Sequence, residues 1–131
     1  MDGFVVHINS EEDIYLAISR ARYLADGRFT EADLQCIFVT ILELTRNALN
    51  YAGGRAVFLC ERVEGGLQIQ VIDKGPGIPN LDDIFNGSYR SPTGLGLGLQ
   101  GVKRMMDTFE IETTEKGTTV RATKWPSQPR T

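Results

Sequence analysis

Several things are scarce in this 131-residue chain, and each shortage removes a class of function. There are two cysteines, Cys36 and Cys60, both in apolar surroundings and without metal-ligand spacing. That excludes a disulfide framework or a cysteine metal centre, and it predicts two reduced core residues of a cytoplasmic protein. The one histidine, His7, lies in a β-rich run and reads as structural. Basic residues are not in excess: 14 Lys and Arg stand against 17 Asp and Glu, for a formal net charge of −3. Nothing therefore points to a nucleic-acid partner. Long hydrophobic runs are missing too, because Glu43, Arg46 or glycines interrupt them, so no membrane span is expected. Met1 is followed by acidic rather than basic residues, and no secretory leader is expected. Internal repeats and low-complexity segments are likewise missing.

What is present suits one globular core: 41% hydrophobic and 24% charged residues. A single domain over residues 1–125 and a frayed tail, PSQPRT at 126–131, are expected. FVVHIN (4–9) reads as a strand. Ser10 and Asp13 then mark a helix start, with Ile14, Ala17, Ala21 and Leu24 at helical spacing as far as Gly27. Thr30 and Asp33 open a second helix, striped by Leu34, Ile37, Phe38, Ile41 and Leu44, which should end near Tyr51 at Gly53-Gly54. RAVFLCER and LQIQVID flank a VEGG hairpin, and LDDIF (81–85) suggests one helical turn. Val102, Met105, Met106 and Phe109 fit a third helix face, and FEIETT and TTVRATKW form a last hairpin. The order β-α-α-β-β-loop-α-β-β predicts a two-layer α/β sandwich, a mixed sheet with the helices packed on one face.

Three stretches bear on chemistry. In TGLGLGLQGVKRMMD, Gly94, Gly96 and Gly98 alternate before an amphipathic run, as a backbone approaching a phosphate would require. The dinucleotide reading fails because YRSP rather than a strand precedes the glycines, and the Walker reading fails because Gly-Lys-Ser/Thr is missing. In ELTRNALNYAGG, Glu43 and Asn47 stand one helical turn apart on one face, with Asn50 beyond them. In VIDKGPGIPN a strand ends in Asp73, and Gly75 and Gly77 leave room for a flat ligand whose exocyclic amine the carboxylate would accept. Each stretch alone also has a plainer reading: a bare glycine turn, a solvated helix edge, a strand-end aspartate before a turn.

Together and in this order, the stretches resemble the GHKL ATP-binding superfamily (the Bergerat fold) over roughly residues 30 to 125. Glu43 and Asn47 match its E-x-x-x-N box, Asp73, Gly75 and Gly77 its D-x-G-x-G box, and Gly94, Gly96 and Gly98 its G-x-G-x-G box. Gly117-Thr118-Thr119 resembles its final G-T-T element. The resemblance implies ATP and Mg²⁺ as cofactors. Asn47 would ligate the metal, Glu43 would act as general base, and Asp73 would select adenine with Thr118 as helper. Gly75 and Gly77 would give the base room, the later glycines would wrap the phosphates, and Asn50 would meet a phosphate or the metal's water shell. Lys103 and Arg104 read as solvated helix residues.

The short segment from Ile78 to Thr93 and the lone strand histidine separate this chain from histidine kinases and transducer-coupled ATPases. It looks most similar to the small serine/threonine kinases of sigma-factor regulation, above all the stressosome switch kinase. That branch phosphorylates STAS-domain proteins and activates a PP2C-type phosphatase. An anti-sigma kinase that binds a sigma factor directly is the alternative, and a histidine-kinase-like catalytic domain the second. Gln100 departs from the pattern, standing where switch kinases tend to have proline.

Overall fold

Strand and helix follow the hydrophobic period of the sequence almost residue for residue. The computed structural model describes residues 2–51, 53–78 and 95–127. Its elements are β1 (Gly3–Ile8), α1 (Glu11–Leu24), α2 (Glu31–Tyr51), β2 (Ala56–Val63), β3 (Gly66–Asp73), α3 (Leu95–Met105), β4 (Thr108–Thr114) and β5 (Gly117–Lys124). The LDDIF turn, Gly94 and most of the segment expected as a lid lie outside the described residues.

The five strands form one sheet in the order β1-β2-β3-β5-β4. Helices cover one face, as expected of a two-layer sandwich. The sheet is antiparallel throughout, which corrects the expectation of a mixed one. The cause lies in the connections. Two helices separate β1 from β2, so the chain re-enters the sheet running the opposite way. One helix separates β3 from β4, which do run the same way, but β5 folds back between them and pairs with both.

Alternation along each strand sends Val6, Ile8, Phe58, Cys60, Leu67, Ile69, Val71, Val120 and Ala122 into the core. There they meet the α1 stripe of Ile14, Ala17, Ala21 and Leu24 and the α2 stripe of Ile37, Phe38, Ile41 and Leu44, all buried. Leu99, Val102 and Met106 add the contribution of α3 and its end. Burial, with the Glu61 charge adding to it, pushes the Cys60 thiol up to about 12. Cys36 is only half-buried, so one of the two expected core cysteines is partly exposed.

The helix ends show how local chemistry sets boundaries. Ser10 is the N-cap of α1 but makes no side-chain capping bond. Asp13 instead accepts the Asn9 amide at 2.8 Å. At the other end, Arg62 donates from Nε and Nη2 to the Leu24 carbonyl at 3.0 and 2.9 Å, satisfying an otherwise orphaned acceptor. Thr30 Oγ1 accepts the Asp33 amide at 3.1 Å and caps α2 as its sequence predicts. α3 stops sooner than the stripe predicts, and Phe109 lies in β4 rather than on the helix. The diversion is visible at Asp107, whose amide donates to the Thr123 carbonyl at 2.9 Å and joins the sheet.

The tail expectation is corrected at its first residues. The Ser127 amide and hydroxyl each donate to a different Asp33 oxygen at 2.8 Å. Asp33 is only 4% exposed. Burial pushes its carboxyl up, but the Ser127 amide and hydroxyl, the Thr30 hydroxyl and the Lys124 charge outweigh burial and hold it below its ordinary value.

Candidate functional site

The site is built on α2 and on the ends of β3 and β5. Ile37, Phe38, Ile41 and Leu44 give α2 its apolar face, and Glu43 and Asn47 project from a different side, so the helix lies on the sheet while this polar row faces α3. Contact between the two helices is close. A Cβ placed on Gly98 would stand 2.6 Å from Glu43 Oε2 and 3.8 Å from Asn47 Nδ2. A side chain there would have to push the Glu43 carboxylate aside, so glycine at position 98 lets that carboxylate lie against α3 although glycine weakens a helix by about 1 kcal/mol.

Gly96 and Gly98 belong to the first turn of α3, so the expected glycine loop is already helical from Leu95. Tertiary fit has overridden propensity. Gln100 lies within the same helix, where a proline would remove a backbone bond.

Asn47 stands out for what it does not do. Its Nδ2 is buried and finds no hydrogen-bond partner, and among the described residues it is the one buried side-chain polar atom left so. Such a group costs about 1–3 kcal/mol of desolvation when unpaired. An amide N–H left unpaired in this way is open to an acceptor brought by a ligand, such as a phosphate oxygen. Asn50, one turn on, is exposed. Lys103 and Arg104 are exposed in the last turn of α3.

The second group gathers at the sheet. Asp73 and Thr118 are register partners across β3 and β5. Thr118 is buried. Asp73 Oδ1 accepts the Gly75 amide at 2.9 Å, a bond that folds the chain sharply away from the strand end. Gly77 has φ +86°, and a side chain there would run into the Thr114 carbonyl. Gly77 therefore answers to close backbone approach.

One residue escaped sequence reasoning. Thr113 Oγ1 lies 2.8 Å from Thr118 Oγ1 and accepts the Ile78 amide at 2.8 Å. It thus ties the segment leaving Gly77 to the strand that carries Thr118. The signal was available, because the two-residue turn at Glu115-Lys116 places Thr113 opposite Thr118 once the hairpin is recognised.

Glu43, Asn47 and Gly98 thus come together, as do Asp73, Gly75, Gly77 and Thr118. The two groups occupy the same side of the sheet, where α2 packs on β3. A cleft of about 890 Å³ also opens at the strand ends, lined in part by His7, Arg55, Ile72, Asp73 and Lys74. Of the expected site residues among those described, only Asp73 borders it. His7 is exposed at its rim, on the sheet face away from the helices.

Comparison with known proteins decides the kinship of this arrangement. The model of the histidine kinase-, DNA gyrase B- and HSP90-like ATPase family matches residues 32–129. The chain belongs to this ATPase family. Among curated relatives, the serine/threonine-protein kinase RsbT of Bacillus subtilis (strain 168) is 36% identical over 129 residues, spanning 95% of this chain and 97% of RsbT. That near end-to-end likeness makes this family member a serine/threonine protein kinase. In three dimensions, the RsbU and RsbW domains of Rv1364c from Mycobacterium tuberculosis match with a TM-score of 0.70 at 19% identity, over 98% of this chain and 33% of that one. A chain of the SiaB-SiaC complex from Pseudomonas aeruginosa matches with a TM-score of 0.62 at 16% identity, over 92% and 88%. At such identities these two attest the fold of the ATPase family alone. No helix among the described residues is long and apolar enough to cross a membrane.

Proposed function

We propose that this chain is an ATP- and Mg²⁺-dependent kinase that transfers phosphate to a serine or threonine of STAS-domain proteins. In this reading it is a partner-switching regulator of the RsbT type, which also binds and activates a PP2C-type phosphatase. The observation that carries the reading is the meeting of Glu43, the unpartnered Asn47 amide and side-chain-free Gly98 at the start of α3. The likeness to RsbT over nearly the whole of both chains supports the choice of a hydroxyl acceptor.

The residues take roles that their chemistry suits. Asp73 accepts the adenine amine through its carboxylate, and Thr118 and Thr113 hold the hydroxyl network beside it. Gly75 and Gly77 leave the space a flat base needs. The start of α3, with Gly96 and Gly98, offers backbone amides to the phosphates, and Gly94 would join them from the preceding segment. Asn47 would hold Mg²⁺ through its side-chain oxygen, with Asn50 near the metal's water shell; the ion would neutralise charge on the phosphates. Glu43 takes the proton of the acceptor hydroxyl as that oxygen forms its bond to the γ-phosphorus. The bond from phosphorus to the bridging β-γ oxygen breaks, and ADP leaves. A hydroxyl needs such a base, because it is a poor nucleophile while protonated.

The test is incubation with labelled ATP and candidate STAS-domain proteins, followed by mapping of the modified residue. Label on serine or threonine is expected. Glu43→Ala should retain ATP binding and slow transfer by about 10²–10⁴-fold, the range for a lost general base. Equal rates in variant and wild type would remove Glu43 from the reaction. Capture of a sigma factor without labelled STAS protein would favour the anti-sigma alternative, and label on histidine would favour the histidine-kinase one.

A further inference from the structure

The contact between α2 and α3 is anchored at both ends, and the second anchor has nothing to do with the glycines. Lys124, the last residue of β5, donates from Nζ to the carbonyl of Met105, the last residue of α3, at 3.0 Å. The same ammonium lies 3.9 Å from Asp33 Oδ1, in the first turn of α2, and 3.9 Å from Asp107 Oδ1, just after α3. Its side chain is 13% exposed and that of Asp33 5%, so solvent screens the group little. The strap that leaves β5 closes over it. The Trp125 amide donates to Asp107 Oδ2 at 2.7 Å, and Ser127 donates twice to Asp33.

Each of these bonds joins a different element, and their centre is one ammonium with three donors on a compact tip. The start of α3 meets the middle of α2 at Gly98, and the end of α3 is tied to the start of α2 through Lys124. The two helices therefore run antiparallel with both ends of α3 held. From Gly98 to Met105 the rise is only about 10 Å, so α3 moves as a rod and a shift at Met105 reaches Gly98.

We infer that Lys124 is a positioning residue for the kinase site. Its ammonium holds the end of α3 on the start of α2, and this sets how the first turn of α3 meets Glu43 and Asn47. The inference rests on the proposed nucleotide site for its functional arm, while its structural arm stands without nucleotide. Loss of the clamp leaves α3 docked for only a fraction of the time, and the apparent affinity for ATP falls by that fraction. Saturating ATP redocks the helix, so the effect falls on KM rather than on kcat.

Lys124→Met in the full chain tests this, with two readouts. Hydrogen exchange without nucleotide should show the amides of α3 exchanging about tenfold faster, with those of β2 and β3 unchanged. The KM for ATP should rise about fivefold or more, with kcat within about twofold. A purely stabilising lysine would lower the melting temperature and leave KM and the α3 protection pattern as in wild type, and that result overturns the inference. Should Lys124→Met fail to fold, Asp107→Asn, which removes the more exposed carboxylate, is read the same way with an expected KM rise of about twofold. A wild-type chain without phosphotransfer refutes the kinase reading; the exchange arm then still decides whether Lys124 docks α3.

Discussion

The two ends of α2 bury polar groups in opposite ways. At its start, Asp33 has both carboxylate oxygens occupied, by the Ser127 amide and hydroxyl, with Lys124 beside them. Along its middle, Thr40 and Thr45 return their hydroxyls to the Cys36 and Ile41 carbonyls at 2.7 and 2.6 Å. One turn from its end, Asn47 leaves Nδ2 buried with no partner among the described residues. One helix in one layer thus contains a region where every donor has been matched and a region where one has not. The difference separates polar groups that hold the fold from one that the fold, over the described residues, leaves unpaired.

Mutation can break this comparison. Asp33→Ala should cost about 1–3 kcal/mol, because it removes both Ser127 bonds and one of the two carboxylates beside the Lys124 ammonium. Asn47→Ala, measured in the same denaturant titration without nucleotide, should stay within about 1 kcal/mol of wild type or gain stability, since it removes an unpaired buried amide. Equal losses for the two would erase the distinction.

The glycines of α3 sharpen the point at the next level. Gly98→Ala should forfeit the gain of about 0.5–1 kcal/mol that alanine brings to a helix, because the new methyl displaces the Glu43 carboxylate. Gly101→Ala, three residues on and with nothing within 4 Å of its Cβ, should stabilise by about 0.5–1 kcal/mol. In thermal melts Gly101→Ala should stand above Gly98→Ala. Asp73→Asn should weaken ATP binding about tenfold, or about 1.4 kcal/mol, since a pure acceptor becomes a mixed donor and acceptor. Unchanged affinity by calorimetry would count against the adenine role.

Acid gives the smallest effect. The Asp33 carboxyl is held below its ordinary value, so the unfolded chain binds the proton more readily than the folded one. The stability from this group is fully present above the ordinary carboxylate value of 3.8 and is lost as pH falls through the lower folded value. Asp33→Asn should flatten that part of the acid-denaturation profile; an unchanged slope would mean that the Ser127 and Lys124 contacts do not form in solution.

Local patterns made much of this legible in the sequence. Ile14, Ala17, Ala21 and Leu24 announced the buried face of α1 by spacing alone, and Glu43 and Asn47 announced a shared face of α2. Both are short-range facts of helix geometry. The Asp33–Ser127 bonds were illegible for the opposite reason: their partners stand 94 positions apart, and no local period connects them. The beginning of α3 was misread because two glycines in four residues argue against a helix, and the Glu43 carboxylate packed against Gly98 appears in no local pattern. Strand direction failed too, since β5 inserts between β3 and β4 and adjacency is not written in element order.

The unequal burial of the two thiols has a practical use. At neutral pH a maleimide reagent needs thiolate, and Cys60, enclosed and pushed up to about 12, supplies almost none. Cys36 is the accessible one, and it lies on the helix that carries Glu43 and Asn47. The natural chain therefore accepts a single dye without any cysteine engineering, and its emission would follow α2 as nucleotide or partner arrives.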